Sequence, residues 1–182
     1  NPKILKGDAN LQLTILRELS AATEEGLDVN TIFQMVLEGM HRGIGLERVC
    51  IAFIKGHKLI AKYMLGEGTD HWRSSFVIDV GPFTDNLFTY AMERGGSTWI
   101  DAELQTKRKD LYPLDVSTVL GKFPSFIHVL EVKGRKVAMF YVDRWSFGGK
   151  LSEAQFESFK HFCSQAQMSL SLLSKSNEKR AR

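Results

Sequence analysis

The sequence has few of the features that disulfide-stabilised, metal-binding or membrane-spanning proteins need. Its two cysteines, Cys50 and Cys163, give neither a disulfide framework nor the spacing of a metal site, and their apolar neighbours are typical of small buried side chains. The chain has no signal peptide and no apolar run close to the ~18 residues of a transmembrane helix. We therefore expect a cytoplasmic protein with reduced thiols, no bound metal and no membrane partner.

An excess of charge of one sign is also missing. The 24 lysines and arginines nearly balance the 21 acidic residues, which leaves a net charge of +3. The basic residues cluster mainly at 107–109 and in the C-terminal segment 175–182, without the aromatic side chains or the motif of a nucleic-acid site. Such clusters are typical of solvated surface, so we expect no nucleic-acid partner.

Motifs for catalysis and for phosphate binding are absent too. The glycine pairs at 43–45 and 66–68 lack the remaining residues of a phosphate-binding loop and are typical of turns. No serine or cysteine lies in a nucleophile elbow, and no histidine is paired with a carboxylate at metal-ligand spacing. The acidic residues are scattered, and Asp143 beside Arg144 is explained by a surface ion pair. The sequence therefore predicts a protein that is not an enzyme.

What the chain does have is the composition of one globular domain. With 182 residues, of which 43% are hydrophobic and 25% charged, it is long enough for one substantial core and short for two. It begins without a methionine and ends in a polar segment, so we expect it to be part of a longer protein. We divide it into a linker (1–10), a domain (11–174) and a polar basic tail (175–182).

Apolar spacing predicts four helices. Positions three and four residues apart indicate helices over 11–26 and 28–43, and a third helix follows the Gly-Pro break at 81–82. The last helix begins at a capping box formed by Ser152 and Gln155, flanked by apolar residues at the positions of a hydrophobic staple.

Alternating apolar residues and turn chemistry predict five to six strands. They lie at 49–54, 59–65, 74–80, 97–100, 125–132 and 136–143. Strands joined by tight turns, with helices gathered at the chain ends, favour an α+β fold built on an antiparallel sheet.

The stretch 101–123 has no steady period and contains Pro113 and Gly121. We predict a long loop there. Because long loops in compact domains are commonly functional or mobile, we interpret it as a lid over a ligand.

A small-molecule pocket needs aromatic walls and a few polar groups. The ligand-binding candidates are Trp72, Phe76, Trp99, Phe126, His128 and Tyr141. The alternative for each, that it fills the core, stays open, and a structural hydrogen bond is the plainer role for the His128 imidazole.

The last helix also carries a heptad seam. The seam residues that we assign to a homodimer contact are Phe159, Ala166, Leu170 and Leu173. A second apolar surface on this helix contains Phe162, Met168 and Leu172. The alternative, in which all of them form one wide stripe facing the core, also stays open.

Several local strings resemble GAF domains. They are 27–33 at the second helix, 45–52 at the first strand, 96–101 at a short strand ending in aspartate, 135–143 at the closing strand and 151–156 at the final helix. The resemblance covers residues 11–174. It implies an antiparallel sheet of five to six strands with the N- and C-terminal helices packed on one face.

In function, the resemblance implies a non-catalytic sensory domain of a bacterial signalling protein, similar to those linked to HDOD modules. Such a domain binds an unidentified small molecule under the sheet, or dimerises through its terminal helices, and controls a linked effector. The Asn-Lys-x-x-x-Phe-Asp-Glu motif of cyclic-nucleotide-binding members and a bilin-attaching cysteine are absent, and the sequence specifies no cofactor.

Two alternatives remain at this point. One is a dimerisation or partner-docking module with no small-molecule ligand. The other is an enzyme with redox chemistry on cysteine, which the apolar surroundings of Cys50 and Cys163 disfavour, because reactive thiols need an exposed, electropositive setting.

Overall fold

The computed structural model describes residues 5–146 and 150–181. Residues 1–4 of the predicted linker and Arg182 of the predicted tail lie outside the described residues. The helices are α1 (Ala9–Glu24), α2 (Val29–Glu38), a π-helix (Gly39–Ile44), α3 (Trp72–Ser75), α4 (Leu87–Arg94), α5 (Ala102–Lys107), a 3-10 turn (Lys109–Leu111), α6 (Leu114–Leu120) and α7 (Glu153–Ala181). The strands are β1 (Arg48–Lys55), β2 (Lys58–Leu65), β3 (Val77–Asp79), β4 (Ser97–Ile100), β5 (Ser125–Val132) and β6 (Arg135–Asp143).

The strands form one sheet in the order β3-β2-β1-β6-β5-β4, and every neighbouring pair is antiparallel. The hairpins β1–β2 and β5–β6 meet where β1 pairs with β6, which places the first and last strands of the domain side by side at the centre. The predicted α+β fold with an antiparallel sheet is confirmed.

One face of the sheet is covered by α1, α2 and α7, as the resemblance implied. The core on this face includes Leu19, Phe33, Phe140 and Phe159, each at most 1% exposed. Because burying a side chain of this size stabilises by roughly 1.5–3 kcal/mol, this layer holds the terminal helices on the sheet.

The opposite face is covered by α3, α4 and the segment 101–123, which we call the lid segment. The prediction that this segment is a loop was wrong, because it contains α5, the 3-10 turn and α6. Asp101 caps α5 by accepting a hydrogen bond from the backbone N–H of Leu104, and α6 lies between Pro113 and Gly121. The irregular composition reflects helix ends spaced too closely for a helical period to develop.

The π-helix connects α2 to β1, and both α1 and α7 pack closely against it. Gly39 packs against the ring of Phe162 in α7, and Gly43 packs against Gln12 in α1. A side chain larger than hydrogen at either glycine would overlap these neighbours, so the contact depends on glycine. The π-helix therefore joins the terminal helices to the strand that enters the centre of the sheet.

Helix α7 is fixed to the sheet by polar contacts as well. Strand β4 pairs with β5 only as far as His128, which leaves the rest of β5 as an open edge. The side-chain amide of Gln167 occupies this edge: its Oε1 accepts from the Glu131 N–H (2.9 Å) and its Nε2 donates to the Glu131 carbonyl (2.7 Å). Close by, the hydroxyls of Thr23 and Ser169 are 2.6 Å apart and link α7 to α1.

Within the described ranges, no helix has both the length and the apolar character needed to cross a membrane.

Candidate functional site

A buried ion pair lies at the centre of the sheet, on the face covered by the lid segment. Arg48 and Asp143 are direct partners on β1 and β6. The Arg48 guanidinium donates from Nε to Oδ1 (2.9 Å) and from Nη2 to Oδ2 (2.6 Å) of Asp143. The Tyr141 hydroxyl also donates to Oδ2, at 2.6 Å. Two charges this deeply buried are retained only when the geometry is bidentate and the remaining oxygen lone pairs have donors.

Burial sets the electrostatics of this cluster. It raises the pKa of Asp143, while the hydrogen bond and the charge of Arg48 act in the opposite direction. It also raises the pKa of Tyr141, so the phenol keeps its proton and acts as a donor. Arg48 and Asp143 therefore form an ion pair without net charge in a low-dielectric environment. Removal of either partner is costly, because it leaves the other charge buried and unpaired.

The lid segment is attached to this cluster through the end of α6. The Leu120 carbonyl accepts from Arg48 Nη2 at 2.6 Å. The preceding Val119 carbonyl accepts from Trp72 Nε1 at 3.1 Å and lies 3.2 Å from Nε2 of His71. The last carbonyls of a helix have no partner within the helix, so these side chains satisfy them and attach the lid segment to the sheet and α3.

Two further polar groups, the neighbouring hydroxyls of Ser125 and Tyr112, lie beside the pair. Ser125 faces Asp143 across the β5–β6 ladder, and its buried Oγ has no hydrogen-bond partner among the described residues. The Tyr112 hydroxyl accepts from Gln105 Nε2 at 2.8 Å, and burial raises its pKa to about 12. A buried hydroxyl without a partner is uncommon in folded proteins and is a position that a ligand or a water can satisfy.

Three aromatic side chains, Trp72, Phe123 and Trp145, lie around the Arg48 side chain. The Arg48 guanidinium carbon lies 4.9 Å from the centre of the Trp72 ring and 5.4 Å from that of Phe123. Trp145 packs near Gly68, next to the Arg48 side chain, and is 37% exposed. Rings placed this way attract the cation, and Arg48 itself is only 6% exposed beside them.

The structure does not bring the six predicted ligand-binding residues together. Trp72, Phe76 and Tyr141 lie under the lid segment. The centre of the Trp72 ring is 5.6 Å from that of Phe76 and 6.0 Å from that of Tyr141. Trp99 and Phe126 lie on the opposite face, with their rings 5.3 Å apart beneath α7. The first three and Phe126 are almost fully buried and pack as core side chains.

His128 lies on the same face as Phe126, in a groove between β5 and α7. Its Nδ1 is 2.7 Å from the Ser97 hydroxyl, and burial lowers its pKa to about 4. The imidazole is therefore neutral in the folded protein at neutral pH, with a structural hydrogen bond.

This gives a prediction for stability against pH. The unfolded chain binds a proton at His128 below its ordinary pKa of ~6.5, whereas the folded protein does so only near 4, so stability falls as the pH drops between these values. From pH ~7.5 to ~5 the loss due to His128 is at most ~2 kcal/mol. Urea unfolding at both pH values should show a smaller loss for His128→Gln than for the unsubstituted protein. An identical pH dependence in the two proteins would contradict the prediction.

The predicted dimer residues of α7 occupy two environments. Phe159 and Ala166 are fully buried against the sheet of their own protomer, so they form the core-facing stripe that was the alternative. Leu170 and Leu173 are half-buried at the edge of the same core. The second apolar surface is also divided, because Phe162 is buried against the π-helix.

Two apolar residues of α7 remain largely exposed. Met168 is 55% exposed and Leu172 is 50% exposed, and Leu13 on the neighbouring α1 is 50% exposed. On α7, the apolar side chains left for a partner are therefore Met168 and Leu172.

Sequence reasoning did not identify Arg48, Ser125 or Tyr112. It also paired Asp143 with Arg144, which was wrong, because Arg144 contacts Glu47 instead. One signal was present: Arg48 stands directly before the continuous apolar run 49–54, and a cation at the start of a fully buried strand requires a buried partner.

Both cysteines are fully buried, and burial raises the pKa of each thiol. The thiolate that redox chemistry needs is disfavoured at both positions. Among the described residues, no group of three or more histidine, cysteine or acidic side chains is placed to hold a metal ion.

Comparison with known proteins identifies the fold. No model of a protein family and no curated protein matches the sequence. A methyl-accepting chemotaxis protein (residues 122 to 287) is similar in structure with a TM-score of 0.66 and 20% identity, covering 88% of this chain and 98% of that one. A GAF domain/HD domain protein from Geobacter sulfurreducens gives a TM-score of 0.65 at 13% identity, with 86% and 97% covered. Free methionine-R-sulfoxide reductase from Neisseria meningitidis gives 0.65 at 13% identity, with 92% and 93% covered. The chain has the fold of GAF domains, as the sequence resemblance indicated.

Proposed function

We propose that this GAF-fold chain is a non-catalytic regulatory domain of a signal-transduction protein. It binds a small molecule beneath the lid segment and passes the resulting change through α1 and α7 to a linked effector. The observation that carries the proposal is the buried Arg48–Asp143 pair, covered by a segment that is attached to it through the Leu120 carbonyl.

The attachment of the lid segment is of a kind that a ligand can replace. Besides the burial of Val116 and Leu120 in the core, it uses single hydrogen bonds from side chains of the sheet and α3 to the carbonyls of Val119 and Leu120. A ligand that supplies its own acceptors competes for the same donors. The coupling between such a site and a distant one is typically about 1–3 kcal/mol, which is within reach of a few exchanged hydrogen bonds.

The same strand connects the site to the terminal helices. Arg48 is the first residue of β1, three positions after Gly45, which ends the π-helix. Because the π-helix packs against both α1 and α7, a displacement of Arg48 has a short route to them. The similar structures support a regulatory role, since they include a chemotaxis protein and a GAF domain/HD domain protein.

A second function is favoured by a different observation. Met168 and Leu172, one turn apart on α7, are exposed apolar side chains, and Leu13 is exposed on α1, which contacts α7. A module that only dimerises or docks a partner through these side chains would need no ligand. In that case the Arg48–Asp143 pair would be purely structural.

Native mass spectrometry of the freshly purified protein, compared with the denatured protein, distinguishes the two functions. We expect an added mass in the folded protein that disappears on denaturation. A dimer without added mass, which becomes a monomer in Met168→Asp/Leu172→Asp, would instead support the docking module. Leu114→Asp is the matched control, because Leu114 is 81% exposed on the lid face, away from α7.

A further inference from the structure

The guanidinium of Arg48 has one edge that is only partly used. A guanidinium offers two edges that can each hold two acceptor atoms. Asp143 takes the edge formed by Nε and Nη2. On the other edge, Nη2 donates to the Leu120 carbonyl, and within the described residues Nη1 has no hydrogen-bond partner.

We propose that Arg48 is the anchor for a small organic carboxylate with an apolar body. The carboxylate takes the edge formed by Nη1 and Nη2, displaces the Leu120 carbonyl and releases α6. This inference rests on the proposed function, because it names the ligand class of the same site.

The chemistry of the edge selects a carboxylate. A backbone carbonyl has one oxygen and uses one donor, whereas a carboxylate has two oxygens that match the planar guanidinium fork. The exchange replaces one hydrogen bond to a neutral acceptor by two bonds to a charged acceptor, and charge-assisted bonds are about twice as strong as neutral ones. The exchange can therefore offset the loss of the Leu120 hydrogen bond.

The surroundings select the rest of the ligand. The rings of Trp72 and Phe123 lie against the Arg48 guanidinium, and Trp145 lies close to the Arg48 side chain, so a carboxylate bound there has apolar contacts beside it. Deeper on the same face of the sheet, the Ser125 and Tyr112 hydroxyls are neighbours, and Ser125 Oγ has no partner at hydrogen-bond distance among the described residues. These two groups suit one further polar atom on the ligand, because buried hydroxyls gain most from a partner.

The test uses benzoate as the probe, benzamide as its uncharged match, acetate as the carboxylate without an apolar body and inorganic phosphate as a tetrahedral anion. Binding is followed by calorimetry, and release of α6 by amide hydrogen exchange. We expect benzoate to bind at least ~10-fold more tightly than benzamide, acetate and phosphate. We also expect the amides of α6 to exchange faster when benzoate is bound.

Two variants locate the site. Arg48→Met/Asp143→Leu replaces the ion pair by apolar side chains of similar volume, so it retains the fold while losing the anchor. It should lose benzoate binding and the change in exchange. Lys122→Ala removes an exposed cation next to Phe123 and should bind benzoate as the unsubstituted protein does, which excludes nonspecific attraction of anions.

The proposal is overturned if benzamide or phosphate binds as well as benzoate, if the double variant still binds benzoate, or if none of the carboxylates binds. If the native protein retains a ligand that is not a carboxylate, the proposed function stands and this inference alone fails. If no retained mass is found and no probe changes the exchange of α6, both fail.

Discussion

Arg48→Ala is expected to destabilise the folded domain by ~3–5 kcal/mol, because it leaves the Asp143 carboxylate buried without its cation. The lost contacts are both bonds of the bidentate pair and the bond to the Leu120 carbonyl. Since the total stability of a domain is typically ~5–15 kcal/mol, the change removes a large fraction of it. Urea unfolding followed by tryptophan fluorescence measures the effect.

Two control variants distinguish the effect of an unpaired buried charge from the effect of removing any charge. Arg48→Met/Asp143→Leu should cost much less than Arg48→Ala, because neither charge is left unpaired. Lys107→Ala breaks an exposed ion pair with Glu103 and should change the free energy of unfolding by less than ~1 kcal/mol. If Arg48→Ala cost no more than Lys107→Ala, the pair would not be buried as described.

Gly66→Ala is expected to cost more than ~3 kcal/mol, through a combination of backbone strain and steric overlap. Gly66 has a φ of +116°, and a Cβ at this position would overlap the carbonyl oxygen of Glu47. This neighbour is backbone and cannot rotate away. Glu47 directly precedes Arg48, so relief of the overlap would also displace the guanidinium. Thermal unfolding should show a large decrease in the melting temperature.

Gly56→Ala is the matched control, since it isolates the strain from the overlap. Gly56 also has a positive φ, +60°, but a Cβ there would meet nothing within 4 Å. Only the left-handed conformation is penalised, and the expected cost is ~1–2 kcal/mol. Equal losses of stability in the two variants would show that the close approach of Gly66 to Glu47 is absent.

The sequence predicted correctly those elements that depend on residues close together in the chain. The capping box at α7 is formed as predicted: the Ser152 Oγ accepts from the Gln155 N–H at 3.1 Å, and the Gln155 Oε1 accepts from the Ser152 N–H at 2.9 Å. The strands of the two hairpins were also identified, because apolar runs and turn residues mark both ends of each.

The remaining features depend on distant parts of the chain. Arg48 and Asp143 are 95 residues apart, and only the pairing register of β1 with β6 makes them partners. Hydrophobic alternation shows which side chains share a face, but not which face lies under which helix. The aromatic candidates were therefore grouped into one pocket, although Trp99 and Tyr141 lie on opposite sides of the sheet.

The attachment of Gln167 to Glu131 has a mechanical consequence. Gln167 is the central residue of α7, with 14 residues on either side, and each arm is therefore ~21 Å long. A rigid rod fixed at its midpoint does not slide but tilts, so its two ends move in opposite directions. A tilt of ~5° would move each end by ~2 Å. A push at the N-terminal end, where Phe156 contacts Trp99, would thus move the far end in the opposite direction, by an amount limited by the core side chains that also hold the first half of α7.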